Sequence, residues 1–222
     1  MIRVHVICEG QTEELFVNEV LQPYFSARRI FLQPALVGKP GHKGGYFKFD
    51  RMFSDVRNRL LGDTGAYCTT FFDFYGLPED FPGKNEALRL ADTSQKAATV
   101  QRLMTVALEA KLGQDVMQRF IPYVQMYEFE ALLFSEPTLF AQGIDKADLA
   151  DSFQQIVNAF DSPEHINNSK DTAPSKRVQE LVYSYQKPLM GALAALEVGL
   201  PNMRARCTLF NDWLNRLEQL AA

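Results

Sequence analysis

The acids best placed for chemistry stand where apolar runs end. Glu9 follows the run at residues 2–8, Asp73 lies near the end of Tyr67-Cys-Thr-Thr-Phe-Phe-Asp-Phe-Tyr75, and Glu128 and Glu130 follow residues 120–127. Neighbouring parallel strands are about 5 Å apart, so carboxylates at adjacent strand ends converge on one hard cation. Ligation by oxygen alone favours Mg²⁺ or Mn²⁺ over zinc. Such an ion lowers the pKa of its water and neutralises charge on a phosphodiester. Glu128 and Glu130 share a face if the chain is still extended and diverge if a helix has begun, and Glu128, nearer the strand, is the favoured ligand. Each acid has a plainer reading as a solvated strand end or cap. That reading is weakest for Asp73, because an ionised group in so apolar a run needs a partner.

Cations could share the charge on a phosphate. Lys176, in Ser175-Lys176-Arg177 after Pro174, is the candidate catalytic cation, against the alternative of an exposed basic helix start. Between Arg28 and Arg59 eight basic residues face two acids, a local net of +6, with Tyr46 and Phe47 beside the glycine-rich segment 38–45. Lys39, Lys43, Lys48 and Arg51, joined by Arg177, are the candidate nucleic-acid contacts, the alternative being a loop charged for solubility. Gly38-Lys-Pro-Gly-His-Lys-Gly-Gly45 does not follow the P-loop order, so ATP binding by this chain is not supported. Lys84 reads as solvated and His165 as a hydrogen-bonded loop histidine.

The elements that position these groups alternate. Strands are expected at 2–8, 31–37, 67–75 and 120–127, and helices at 49–61 and 94–112. A further helix is capped by Thr12, with Glu13 and Glu14 in its first turn, where acids suit the helix dipole. Alternation of this kind predicts an α/β domain with a mostly parallel sheet, its ligands at the carboxyl ends of the strands. After Ser135 the spacing turns helical, at 146–160, 175–185, 188–197 and 208–220. The expected division is 1–135 as the α/β domain and 136–222 as a helical C-terminal part packed on it, or one continuous domain.

Composition is ordinary for a globular chain: 222 residues, 46% hydrophobic, 23% charged, net charge −4. No global basic field recruits nucleic acid, so such binding must be local. Cys8, Cys68 and Cys207 have neither CxxC spacing nor an even count, which argues against zinc knuckles and disulfides and for a reducing compartment. Neither a signal peptide nor a run of about 20 apolar residues is present. A cytoplasmic protein without membrane contact is expected.

Four segments together carry a resemblance: Val6-Ile-Cys-Glu-Gly-Gln-Thr-Glu-Glu14, Phe72-Asp-Phe-Tyr-Gly-Leu-Pro78, Tyr127-Glu-Phe-Glu-Ala-Leu-Leu-Phe134 and Thr172-Ala-Pro-Ser-Lys-Arg177. From the first strand to about Arg177 the chain resembles an uncharacterised Toprim-related (topoisomerase–primase-like) bacterial family, akin to the OLD-type and RloB-type nucleases encoded beside AAA-type or SMC-like ATPases. The resemblance implies a Toprim-like sheet flanked by helices, with Glu9 and Asp73 holding Mg²⁺ or Mn²⁺ for hydrolysis of DNA or RNA. It also implies a partner ATPase and a place in anti-phage defence. A Toprim motif has Asp-x-Asp where this chain has Asp73-Phe-Tyr75, so a further ligand must come from Glu128, Glu130 or Glu13, or catalysis has been lost. The expected function is a Mg²⁺-dependent nuclease or related phosphodiesterase. The alternatives are a non-catalytic subunit of an ATPase complex and a small-molecule phosphatase using the same site.

Overall fold

The computed structural model describes residues 1–38, 47–167 and 172–221. Its first half alternates strand and helix: β1 (Ile2–Cys8), α1 (Gln11–Phe16), a π-helical turn Val17–Leu21, α2 (Gln22–Ser26), β2 (Ile30–Leu36), α3 (Phe49–Gly62) and β3 (Tyr67–Phe71). Then come α4 (Lys84–Leu88), α5 (Thr93–Leu112), α6 (Gln114–Met117) and β4 (Phe120–Ile121). The remainder is helical, with α7 (Glu130–Leu133), α8 (Pro137–Gly143), α9 (Ala150–Asn158), α10 (Pro174–Leu181), α11 (Lys187–Val198), α12 (Leu200–Arg206) and α13 (Thr208–Glu218).

The four strands form an all-parallel sheet in the order β2-β1-β3-β4. This is the α/β architecture, parallel sheet flanked by helices, that a Toprim-like fold requires. From β1 the chain moves to one side for β2 and then to the other side for β3. The crevice between the carboxyl ends of β1 and β3 is therefore the point where the winding reverses, which is where open α/β sheets bind ligands.

Alternation along β1 divides the core. Val4, Val6 and Cys8 pack with Phe16 and Leu21 and with the C-terminal helices, through Phe210, Trp213 and Leu217. Ile7 faces the other way, with Met52, Val56 and Leu60 of α3 and Val100, Met104 and Leu108 of α5. The first cluster crosses residue 135, so sheet and C-terminal helices share one apolar interior. Trp213 stacks on Tyr123 at 4.3 Å, and its Nε1 donates to Thr69 Oγ1 at 2.9 Å, tying α13 to the sheet. Glu164, on the connector before α10, accepts the backbone N–H groups of Leu209 and Phe210 at 2.9 Å each and so caps α13.

Two expected strands are shorter than their apolar runs, since β3 stops at Phe71 and β4 holds two residues. The reason lies in side chains that replace the ladder. Thr69 Oγ1 donates to the Ile121 carbonyl, and Thr70 Oγ1 donates to the Tyr123 carbonyl and accepts the Tyr123 N–H. Beyond them the two segments are joined by an isolated bridge between Asp73 and Gln125 and by the Tyr75 N–H donating to the Tyr127 carbonyl. The first helix begins at Gln11 with Gly10 as its cap, not Thr12, whose side chain is buried against Gly191 of α11. All three cysteines are free and buried, as apolar packing predicts.

Candidate functional site

Glu9 leaves the end of β1 and turns its carboxylate across the crevice, where Oε2 accepts the Asp73 backbone N–H at 3.0 Å. Space for it exists because residue 76 is glycine: a Cβ there would stand 2.1 Å from Glu9 Oε1. Glu13, in the first turn of α1, reaches back to accept the Gly10 N–H at 2.8 Å, which holds its side chain inward. Its carboxylate is buried, so the dipole role expected of it is joined by a place in the site. Asp73 is buried too, and its Oδ1 has no hydrogen-bond partner among the described residues.

The third group comes from the segment after β4. Tyr127 has φ 64°, a left-handed conformation that is unfavourable for a bulky residue and marks a constrained turn. Its carbonyl accepts the Tyr75 N–H at 3.1 Å. Beyond it both Glu128 and Glu130 turn toward the same lysine. Lys187 Nζ, from the first residue of α11, lies 3.1 Å from Glu130 Oε2 and 3.7 Å from Glu128 Oε1. Glu128 Oε2 also accepts the Ser175 N–H at 2.8 Å. Both acids therefore reach the crevice: Glu130 is fully buried and the closer of the two to the lysine, and its Oε1 has no hydrogen-bond partner among the described residues.

Five carboxylates thus surround one ammonium, and their protonation reflects the imbalance. Burial, then the charge of Glu13, pushes Glu9 up to about 7. Burial likewise lifts Glu13 to about 7. Burial, followed by the charges of Glu13 and Glu9, drives Asp73 well above the carboxylate range. Burial raises Glu130 against the pull of Lys187. Burial opposes the Lys187 ammonium, but Glu130, Asp73 and Glu128 together outweigh it and hold its pKa above the ordinary lysine value.

The acids come together, whereas the side chain of the expected catalytic lysine turns outward. Lys176 is exposed, its Nζ 3.4 Å from Gln179 Oε1. Arg177 donates to the Thr172 carbonyl and lies over the Phe160 ring. Lys48 and Arg51, at the start of α3, border a cavity of about 400 Å³ with Phe47 and Asp50. Lys39 and Lys43 lie outside the described residues. Lys84, expected to be solvated, is buried, with its ammonium donating to the Leu77 carbonyl. His165 lines a cavity of about 540 Å³ with Thr93, Lys96, Tyr127 and Asn167. Tyr75, at the position where a Toprim motif has its second Asp, donates its hydroxyl to Asn167 Oδ1 at the edge of that cavity.

Lys187 was not legible as a site residue, yet one signal marked it. A cation at the first position of a helix opposes the macrodipole, so a lysine there calls for another partner.

Among the described residues no group of three or more His, Cys, Asp or Glu side chains stands in metal-holding geometry. The donor chemistry nevertheless fits a hard cation, since the partnerless atoms Asp73 Oδ1 and Glu130 Oε1 are carboxylate oxygens. No helix of the described residues is long and apolar enough to cross a membrane. No curated protein and no solved structure matches the chain. Residues 8–218 match the family described as a domain of unknown function, DUF4276, and the chain belongs to that family.

Proposed function

We propose that the chain is a Mg²⁺- or Mn²⁺-dependent phosphodiester hydrolase acting on DNA or RNA in the cytoplasm. The observation that carries the reading is the gathering of Glu9, Glu13, Asp73, Glu128 and Glu130 near Lys187, with two buried carboxylate oxygens that lack hydrogen-bond partners among the described residues. A buried surplus of acids over cations is destabilising unless protons or a cation balance it. Glu9, Asp73 and Glu130 would hold the ion, which supplies an activated water and charge neutralisation. Lys187 forms ion pairs with Glu128 and Glu130 and brings positive charge to the crevice.

Titration calorimetry with Mn²⁺ on the wild type, Glu9→Gln and Asp73→Asn tests this. Saturable binding that both variants lose supports the site. Absence of binding by the wild type, or full retention by both variants, rejects it.

A second reading, a non-catalytic subunit of an ATPase complex, is favoured by Tyr75. Its hydroxyl is committed to Asn167, so the position supplies no carboxylate where a Toprim motif has one. That reading expects co-purification with an ATPase and no intrinsic cleavage with either ion.

A further inference from the structure

α11 carries two charged side chains in 12 residues, Lys187 at its start and Glu197 near its end, and is apolar on every side between them. Helices of that composition are normally buried all round. The inner side is buried. Its small residues Gly191, Ala194 and Ala195 let neighbours come close: a Cβ at Gly191 would stand 3.5 Å from Thr12 Cγ2 on α1, and one at Gly143 of α8 would stand 2.6 Å from the Ala194 Cα. The outer side is open. Leu189, Leu193 and Leu196 remain 59%, 49% and 51% exposed. They recur at spacings of four and three residues, the seam of a helix that packs lengthwise on another helix. Large apolar residues thus face outward and small ones inward, the reverse of what a helix at a free surface requires.

Two features of this side identify its occupant. No charged side chain lies along the seam, so it gives an acidic or basic partner nothing to recognise and is complementary to a copy of itself. Glu197, in a last turn without a basic residue, opposes the dipole of its own helix. An antiparallel copy brings the positive N-terminal end of its α11 beside that acid, and the symmetry does so twice.

We propose that α11 is the interface of a homodimer, packed against α11 of a second copy antiparallel about a two-fold axis. Leu189 of each chain lies beside Leu196 of the other, with both Leu193 side chains near the axis. A seam of about two turns is short, so association in the micromolar range is expected. At 3.6 residues per turn the seam lies on the opposite side of α11 from Lys187, and the pairing does not depend on the chemistry of the crevice.

Sedimentation of the whole chain between about 1 and 100 μM tests this. The expected result is a reversible shift from monomer to dimer. The dissociation constant should rise at least about tenfold in Leu193→Glu, which sets two like charges near the axis, and stay unchanged in Leu88→Glu, a comparably exposed leucine on α4. Cysteine substitution reads the direction, since all native cysteines are buried. Mild oxidation of mixed Leu189→Cys and Leu196→Cys chains should join one variant to the other and neither to itself, because like positions in the antiparallel pair stand about 10 Å apart, beyond disulfide reach. A chain monomeric across the range, a dimer that Leu193→Glu leaves intact, or cross-linking of like positions would overturn the proposal.

Discussion

Replacing Glu9 with glutamine isolates the electrostatic load carried by the crevice. Glutamine has the same shape and keeps an oxygen to accept the Asp73 N–H, but it cannot ionise. In the folded protein Glu9 titrates at about 7, against 4.5 unperturbed. Between those values the native state holds a proton that the unfolded chain has released, so stability falls as pH rises through the window. At 1.36 kcal/mol per unit, the loss from this one group is about 3 kcal/mol, complete above pH 7. Urea unfolding in a chelator from pH 4.5 to 8, followed through the fluorescence of the one tryptophan, measures it. The two proteins should unfold together near pH 4.5, and the variant should be the more stable by about 2–3 kcal/mol at pH 8. With a urea slope of about 2 kcal/mol per molar, the midpoints would separate by about 1 M or slightly more. Wild-type and variant curves that stay parallel across the window would refute the reasoning. So would a variant less stable than the wild type at pH 8.

Lys187→Met removes the cation that pairs with Glu128 and Glu130 and should cost about 3–5 kcal/mol at pH 8, read by chemical denaturation, with less loss at pH 5 because the raised Glu130 takes up a proton more readily. Gly76→Ala should leave the thermal midpoint within a few degrees while abolishing Mn²⁺ binding, because the new methyl displaces the flexible end of Glu9 and no backbone. Glu164→Ala strips the cap from α13 and leaves two amides unpaired, a loss of about 1–3 kcal/mol visible in urea unfolding. Trp213→Ala should be the most damaging core change, about 3–5 kcal/mol, since it removes both the Tyr123 stack and the Thr69 bond.

The acids at the ends of β1 and β3 could be anticipated, because apolar runs broken by one carboxylate report strand ends without knowledge of tertiary packing. Parallel pairing followed from the alternation of elements. The lengths of β3 and β4 did not, since Thr69 and Thr70 satisfy the next segment through hydroxyls, and nothing local tells a threonine that packs from one that bridges. Glu13 looked like an ordinary first-turn acid because its burial is imposed by α11, far away in sequence. That Lys187 was passed over in favour of Lys176 has the same origin. Basic clusters are visible in a linear chain, whereas a single lysine brought in by a docking helix is not.

The arrival of Lys187 on α11 has a consequence for biogenesis. During synthesis all five acids of the crevice leave the ribosome before the lysine that offsets them, so the sheet is formed in the presence of an unbalanced charge until the C-terminal helices dock. Contacts of such sequence separation close slowly, which places completion of the crevice among the last events of folding. Chains interrupted before α11 would carry the acids without their counter-charge, and the crevice is in this sense a checkpoint that only a polypeptide extending through α11 can pass.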